Sequence, residues 1–206
     1  MKIIKPSYEI LTPINRTEIL QQIELAARTC YKSEDKITEE SGAKLIKRLI
    51  KLGHTAMIEH ANFTVKFICD RGVSHEIVRH RIASYAQEST RYCNYGKDKF
   101  GNEITVIAPF WAEVGSPGYQ EWEKAMAACE ASYFALLDMG WTAQDARSVL
   151  PNSLKTEIIV TMNMRAWRNF FELRTPKEAH PQMREIAVPL LAELKEKLPE
   201  LFGDLS

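Results

Sequence analysis

The segment 79–96 reads RHRIASYAQESTRYCNYG, with Arg79, Arg81 and Arg91 close to His80, Ser84, Gln87, Ser89 and three tyrosines. It has almost no aliphatic side chains to bury. A guanidinium is a planar fork of N–H donors that fits the oxygens of phosphates and carboxylates. Arg79 and Arg81 are two positions apart, so on a helix they point in different directions and do not clamp one group from one face. They suit two neighbouring ligands, or one ligand and one structural carboxylate. Ser84, Gln87, Ser89 and Arg91 follow without helical periodicity, in a stretch expected to be a loop. Such a loop offers backbone N–H groups and short polar side chains. A solvated, salt-bridged surface has the same composition.

Three more polar clusters bear on that choice. GHTAMIEH places His54, Glu59 and His60 just before a strand. Its spacing is not the HExxH pattern of zinc enzymes, so no metal is expected. ARSVLP puts Arg147 ahead of a proline, and NMRAWRNFFELR supplies Asn163, Arg165, Asn169 and Arg174. Asn163 and Arg165 sit at a strand-to-helix junction, and Arg165 shares a helix face with Asn169. Each cluster lies at the edge of an expected element. Together they point to one polyanion-binding site.

The elements that must position these groups can be read from periodicity. Lys2–Leu11 is strand-like. Asn15 with Glu18 marks a helix start, followed by the apolar stripe Ile19, Ile23, Ala26 and Ala27. Thr38 is placed to cap a second helix, with Leu45, Ile46, Leu49 and Ile50 inward and Gly53 as its stop. Phe63, Val65, Phe67 and Cys69 alternate as in a strand. Residues 72–81 return to helical spacing, with Val73, Ile77 and Val78 inward. Ile104–Ala108 is a short strand and Gly118–Met139 a long helix. A short helix precedes Pro151. Ile158–Met162 is a strand, and Arg165–Leu173 and Pro181–Leu198 are helices. No Gly-rich turn follows a strand, which excludes a dinucleotide-binding βαβ unit and a Walker loop. The expected fold is α+β, an antiparallel central sheet flanked by helices, in a single domain over residues 1–206.

The chain has 206 residues, 45 % hydrophobic and 26 % charged, with 27 basic and 27 acidic side chains. That zero net charge speaks against nucleic acid as a partner, although Tyr85, Tyr92 and Tyr95 beside the arginines are the aromatics such a module would use. The N-terminal MKIIKPSYEILTPIN lacks the apolar run of a signal peptide, and no stretch approaches the roughly 20 apolar residues of a membrane span. A cytoplasmic protein, with no membrane partner, is expected. Cys30, Cys69, Cys93 and Cys129 are scattered and read as apolar fillers.

Arg79-His80-Arg81, then seven residues, then Ser89 resembles the signature of flavin-dependent thymidylate synthases. GHTAMIEH resembles the family's upstream histidine segment, ARSVLPNSLKTEIIVTMNMRAWRNFFELR its downstream segment and AHPQMREI its closing helix, in the family's order over roughly residues 50–190. The resemblance implies a homotetramer with active sites shared between subunits. It also implies FAD, NADPH and 5,10-methylenetetrahydrofolate as cofactors and carbon donor, and dUMP as substrate. By motif position it places Arg79, His80, Arg81, Ile82, Ser84, Gln87, Asn163, Arg165 and Asn169 on FAD. It places Glu76, Arg79, Gln87, Glu88, Ser89, Thr90, Arg91, Arg147 and Arg174 on dUMP, with Arg147 arriving from another subunit, and His54 near flavin and folate. Many members carry Asn and Glu where this chain has Ala86 and Gln87.

The reaction adds one carbon to C5 of uracil and then a hydride. A thiolate attacking C6 is one way to activate the ring, and Cys93, close to Arg91, is the thiol to consider; it lies outside the signature. The alternative is electrostatic: Arg174 beside the uracil stabilises negative charge as it builds. With His54 it makes up the expected catalytic pair. Ser89 has no adjacent base in the motif and reads as a phosphate ligand. A nucleotide-binding regulator that had lost the reaction would keep the arginines but could dispense with Arg174 and His54.

Overall fold

The computed structural model describes residues 1–97 and 100–206. In chain order the elements are β1 (Lys2–Ile4), β2 (Ser7–Ile10), α1 (Arg16–Thr29), α2 (Ser41–Lys51), β3 (Asn62–Asp70), α3 (Arg71–Ile77) and β4 (Ala83–Gln87). There follow β5 (Thr105–Ile107), α4 (Pro117–Asp138), α5 (Ala143–Ala146), β6 (Lys155–Asn163), α6 (Met164–Arg174), α7 (Pro181–Lys197) and α8 (Pro199–Phe202). Helix and sheet are mixed. An antiparallel four-stranded sheet has the order β2-β3-β6-β4. The expected all-antiparallel arrangement misses one feature: β1 pairs with β5 in parallel, Lys2 opposite Thr105 and Ile4 opposite Ile107. Among the described residues, no helix is long and apolar enough to cross a membrane.

The chain divides into two compact units. The first comprises Met1–Ser7, Phe67–Arg79 and Ala86–Ile158; the second comprises Tyr8–Lys66, His80–Tyr85 and Ile159–Ser206. The core of the first gathers Tyr95, Ile104, Val106, Met126, Tyr133, Ala146 and Leu154. The core of the second is aromatic. Phe63 stacks on Trp167 with centroids 4.8 Å apart; Phe170 packs edge-on to Trp167, Phe202 edge-on to Phe63, and Phe171 stacks on Trp167 at 6.0 Å. The Trp167 indole N–H donates to the Phe63 carbonyl at 3.2 Å, so the buried ring leaves no polar atom unsatisfied there.

Local chemistry explains the boundaries. Asn15 caps α1 by accepting from the Glu18 N–H. Gly53 ends α2 with φ of 74°, a left-handed value that a Cβ opposes. The expected strand over Lys2–Leu11 is split at Lys5-Pro6, and its two halves join different sheets. Pro6 has no N–H to offer a ladder. Thr38 does not cap α2. That helix begins three residues later, where the Ser41 hydroxyl accepts from the Thr38 N–H at 2.8 Å and donates to the buried Glu24 carboxylate at 2.7 Å. Helix α3 ends at Ile77, not at residue 81, and Val78 is exposed. The expected loop over residues 83–87 is instead strand β4, at the end of the sheet order.

Candidate active site

The first unit assembles one polar cluster. Chain reversal after β4 is built on Ser89: its carbonyl accepts from the N–H groups of Tyr92 and Cys93, and its hydroxyl from the Arg91 N–H. Arg91 is exposed and its Nε donates to Gln144 Oε1 at 2.8 Å, while its guanidinium carbon lies 5.3 Å from the centre of the Tyr92 ring. Arg147 opens the 3₁₀ turn after α5. Its Nε donates to the Gln144 backbone carbonyl at 3.1 Å and an Nη to Thr90 Oγ1 at 3.3 Å. Arg147 thus stands beside the Ser89–Arg91 segment of its own chain.

Behind these residues lies an anchor. Glu88 does not extend outward. Its carboxylate accepts from Lys155 Nζ at 3.0 Å and from the Tyr95 hydroxyl at 3.4 Å, and its N–H donates to the Glu157 carbonyl at 2.8 Å. Burial opposes the charge on Lys155, but bonds to Glu157 and Glu88 hold its pKa above the ordinary value. Gln87 Nε2 donates to Ser74 Oγ at 2.9 Å and to Thr156 Oγ1 at 3.3 Å, which ties β4 to α3 and β6. Glu76, on the last turn of α3, accepts through its carbonyl from the Arg79 N–H, and Arg79 itself is exposed.

The second unit holds the remaining candidates. His80 is buried, its ring 4.9 Å from that of Phe170, and its carbonyl accepts from the Tyr85 hydroxyl at 2.7 Å. Arg174, at the end of α6, donates its Nε to His80 Nε2 at 2.9 Å. As acceptor at Nε2 the imidazole is the neutral Nδ1–H form. Burial, with the Arg174 charge adding to it, pushes the His80 pKa down to about 4. The resemblance places His80 on FAD; within the chain its Nε2 is bonded to Arg174. Arg81, Ile82 and Ser84 are exposed, Ile82 at 81 %.

Asn163 caps α6, its side-chain oxygen accepting from the Ala166 N–H at 2.8 Å, which leaves the carboxamide N–H groups as the donors it has to offer. Arg165 makes a surface ion pair with Glu59 at 2.6 Å, and Asn169 is exposed one turn along the helix. Cations and amide donors on the first turns of a helix suit the phosphates and ring carbonyls of a dinucleotide, so the donor set fits FAD. His54 is exposed at the start of the Thr55–His60 turn. Among the described residues no group of three His, Cys, Asp or Glu is placed to hold a metal. Burial drives the Cys69 thiol up to about 12, which removes it as a thiolate source.

Sequence reading missed Gln144, whose signal is its position three residues before Arg147 on the same turn. It also missed Lys155, whose basic side chain lies in a strand next to the acidic Glu157.

Comparison with known proteins gives a consistent result. The family model described as "Thymidylate synthase complementing protein" matches residues 14–200. The chain is 39 % identical over 189 residues to a protein of Geobacter sulfurreducens named flavin-dependent thymidylate synthase, covering 88 % of this chain and 80 % of that one. It is 35 % identical over 195 residues to one of the same name from Pyrococcus furiosus, covering 91 % and 79 %. A third of that name, from Corynebacterium glutamicum, is 34 % identical over 203 residues, covering 88 % and 78 %.

Proposed function

The chain belongs to the flavin-dependent thymidylate synthase family, and from that premise we propose that it converts dUMP to dTMP with FAD, NADPH and 5,10-methylenetetrahydrofolate. The observation that carries the reading is the pair Arg91 and Arg147 beside Ser89 and Thr90, two guanidiniums and two hydroxyls suited to a phosphate monoester. The match covers residues of both compact units, which supports treating 1–206 as one functional domain. The proposal extends to a cytoplasmic homotetramer with shared sites. The exposed Ile82 and Tyr92, at 81 % and 76 %, are apolar surface of the kind that subunit contacts cover.

Each residue then has a physical task. Ser89, Thr90, Arg91 and Arg147 hold the nucleotide phosphate. Glu76 and Arg79 lie at the end of α3 on the nucleotide side of the assignment. Gln87 and Glu88 keep β4 and the following turn in place from behind. Asn163, Arg165 and Asn169, with Arg81, Ile82 and Ser84, hold FAD; His54 stands near flavin and folate. Arg174 sits against the uracil ring, where a preorganised cation lowers the barrier by about 2.7–4 kcal/mol as negative charge develops. Neutral His80 fixes the Nε edge of that guanidinium. Reduced FAD, when bound, supplies the hydride that completes the methyl group. No cysteine is required.

The test is direct. Purified protein should carry FAD that heat or acid releases completely, and should form dTMP from dUMP in the presence of NADPH and the folate. A flavoprotein that oxidises NADPH yet never methylates dUMP would overturn the reading.

A further inference from the structure

The two arginines assigned to the phosphate meet at a residue that no motif singles out. Gln144 accepts from Arg91 Nε with its side-chain oxygen at 2.8 Å and from Arg147 Nε with its backbone oxygen at 3.1 Å. We propose that Gln144 is the positioning residue of a phosphate clamp, and that its neutral carboxamide keeps the full charge of Arg91 and Arg147 for a dianionic phosphate monoester. The inference rests on the synthase reading for the identity of that monoester, dUMP.

The chemistry follows from which edges are used. Both guanidiniums are held at Nε, which leaves their terminal nitrogens as donors for a ligand; Arg147 directs one of them to Thr90 Oγ1. Among the described residues the contacts recorded for the pair are neutral: Gln144, Thr90 and the Tyr92 ring. Arg16, Arg165 and Arg168, by contrast, face carboxylates. Two cations tied to one residue repel each other, and an arriving dianion relieves that repulsion. A carboxylate at position 144 would hold the same two edges but cancel one of the charges. A carboxamide orients without neutralising. Ser89 and Thr90 add hydroxyls on the same turn, with the Arg91 N–H already folded onto Ser89 Oγ.

The experiment is calorimetric titration of FAD-loaded protein with dUMP and, separately, with inorganic phosphate, for the natural chain, Gln144→Glu and Gln144→Leu. Steady-state kinetics over a range of dUMP accompanies it. Gln144→Glu keeps the shape and the acceptor and adds a charge; Gln144→Leu removes the acceptor. Both should weaken dUMP and phosphate binding by about tenfold or more, the scale of one charged hydrogen bond. The loss should fall on KM for dUMP, with kcat at saturating dUMP and FAD content held within about twofold. A Gln144→Glu protein that binds dUMP and phosphate like the natural one overturns the proposal. So does one that loses kcat and flavin together, because that marks a structural role. If the natural chain binds phosphate in a Gln144-dependent way but not dUMP, the synthase reading falls and the clamp stands. If it binds neither, the clamp falls.

Discussion

The pair His80 and Arg174 shows how one buried side chain can set the orientation of a charged one. A neutral imidazole accepts from Arg174 Nε at 2.9 Å and so fixes the plane of the guanidinium. A residue that can still accept should preserve much of that function. His80→Gln is therefore expected to retain turnover within about tenfold, while His80→Phe, with no acceptor, should lose a hundredfold or more, the scale of one preorganised donor. Arg174→Ala should lose as much in kcat, with FAD content and dUMP binding largely kept. Thymidylate formation at saturating dUMP decides all three. The same residue predicts a pH effect. In the folded chain His80 stays neutral down to about 4, whereas in the unfolded chain it titrates near 6.5. Between those values the unfolded state holds a proton the folded state lacks. The stability linked to this site is therefore complete above about pH 6.5, is lost as pH falls toward 4, and changes no further below that. Urea midpoints measured from pH 7 to pH 4 should fall more steeply for the natural chain than for His80→Gln; parallel curves would remove His80 as the cause.

At the scale of elements, α6 and α8 show which partner of an ion pair matters more. Arg168 is buried on α6 and donates two bonds to Asp204, at 2.6 and 2.7 Å, and one to the Leu201 carbonyl. Its side chain is 9 % exposed and that of Asp204 53 %. Removing the exposed partner leaves a guanidinium buried with its charge uncompensated, so Asp204→Ala should destabilise by about 3 kcal/mol. Arg168→Met takes the buried charge away and lets Asp204 hydrate, so it should cost only about 1–2 kcal/mol despite touching the more buried residue. Chemical denaturation of both variants checks the order. That pair also shows what the sequence does and does not disclose. The apolar periodicity of α1, α4, α6 and α7 and the alternation along β3 were legible because burial repeats with the backbone. Strand β4 was not, because Ala83–Gln87 has no aliphatic residue larger than alanine and its period-two pattern is carried by small and polar groups. The motif places Glu88 among the residues toward the nucleotide. Its turn toward Lys155 and Tyr95 depends on residues distant in sequence. Arg91, Arg147, His80 and Arg174 were legible as residues, but Gln144 and the histidine–arginine contact were not, since a pairwise geometry leaves no mark in one sequence.

For the whole molecule, the division of labour along the chain determines what a test of subunit sharing must look like. The polar cluster proposed to hold phosphate, with Arg91 and Arg147, belongs to the first compact unit, and the His80–Arg174 pair belongs to the second. Arg91 and Arg147 are joined through Gln144 within a single chain. Mixing Arg91→Ala with Arg147→Ala subunits therefore cannot repair anything, because every phosphate cluster in any assembly still carries one lesion. Mixing Arg91→Ala with Arg174→Ala is different. If each site takes its phosphate cluster from one copy and Arg174 from another, some sites in a mixed oligomer receive both intact. Random assembly from equal amounts makes that about a quarter of all sites in a symmetric oligomer. Activity of the second mixture should rise to roughly that fraction of the natural enzyme, after denaturation and joint refolding or co-expression, while the first mixture stays inactive. Mass measurement of differently tagged subunits establishes that copies have exchanged. With exchange demonstrated, an inactive Arg91→Ala and Arg174→Ala mixture would mean that each site is built from one chain. Recovery in the Arg91→Ala and Arg147→Ala mixture would mean that Gln144 does not hold the two arginines together in the working enzyme.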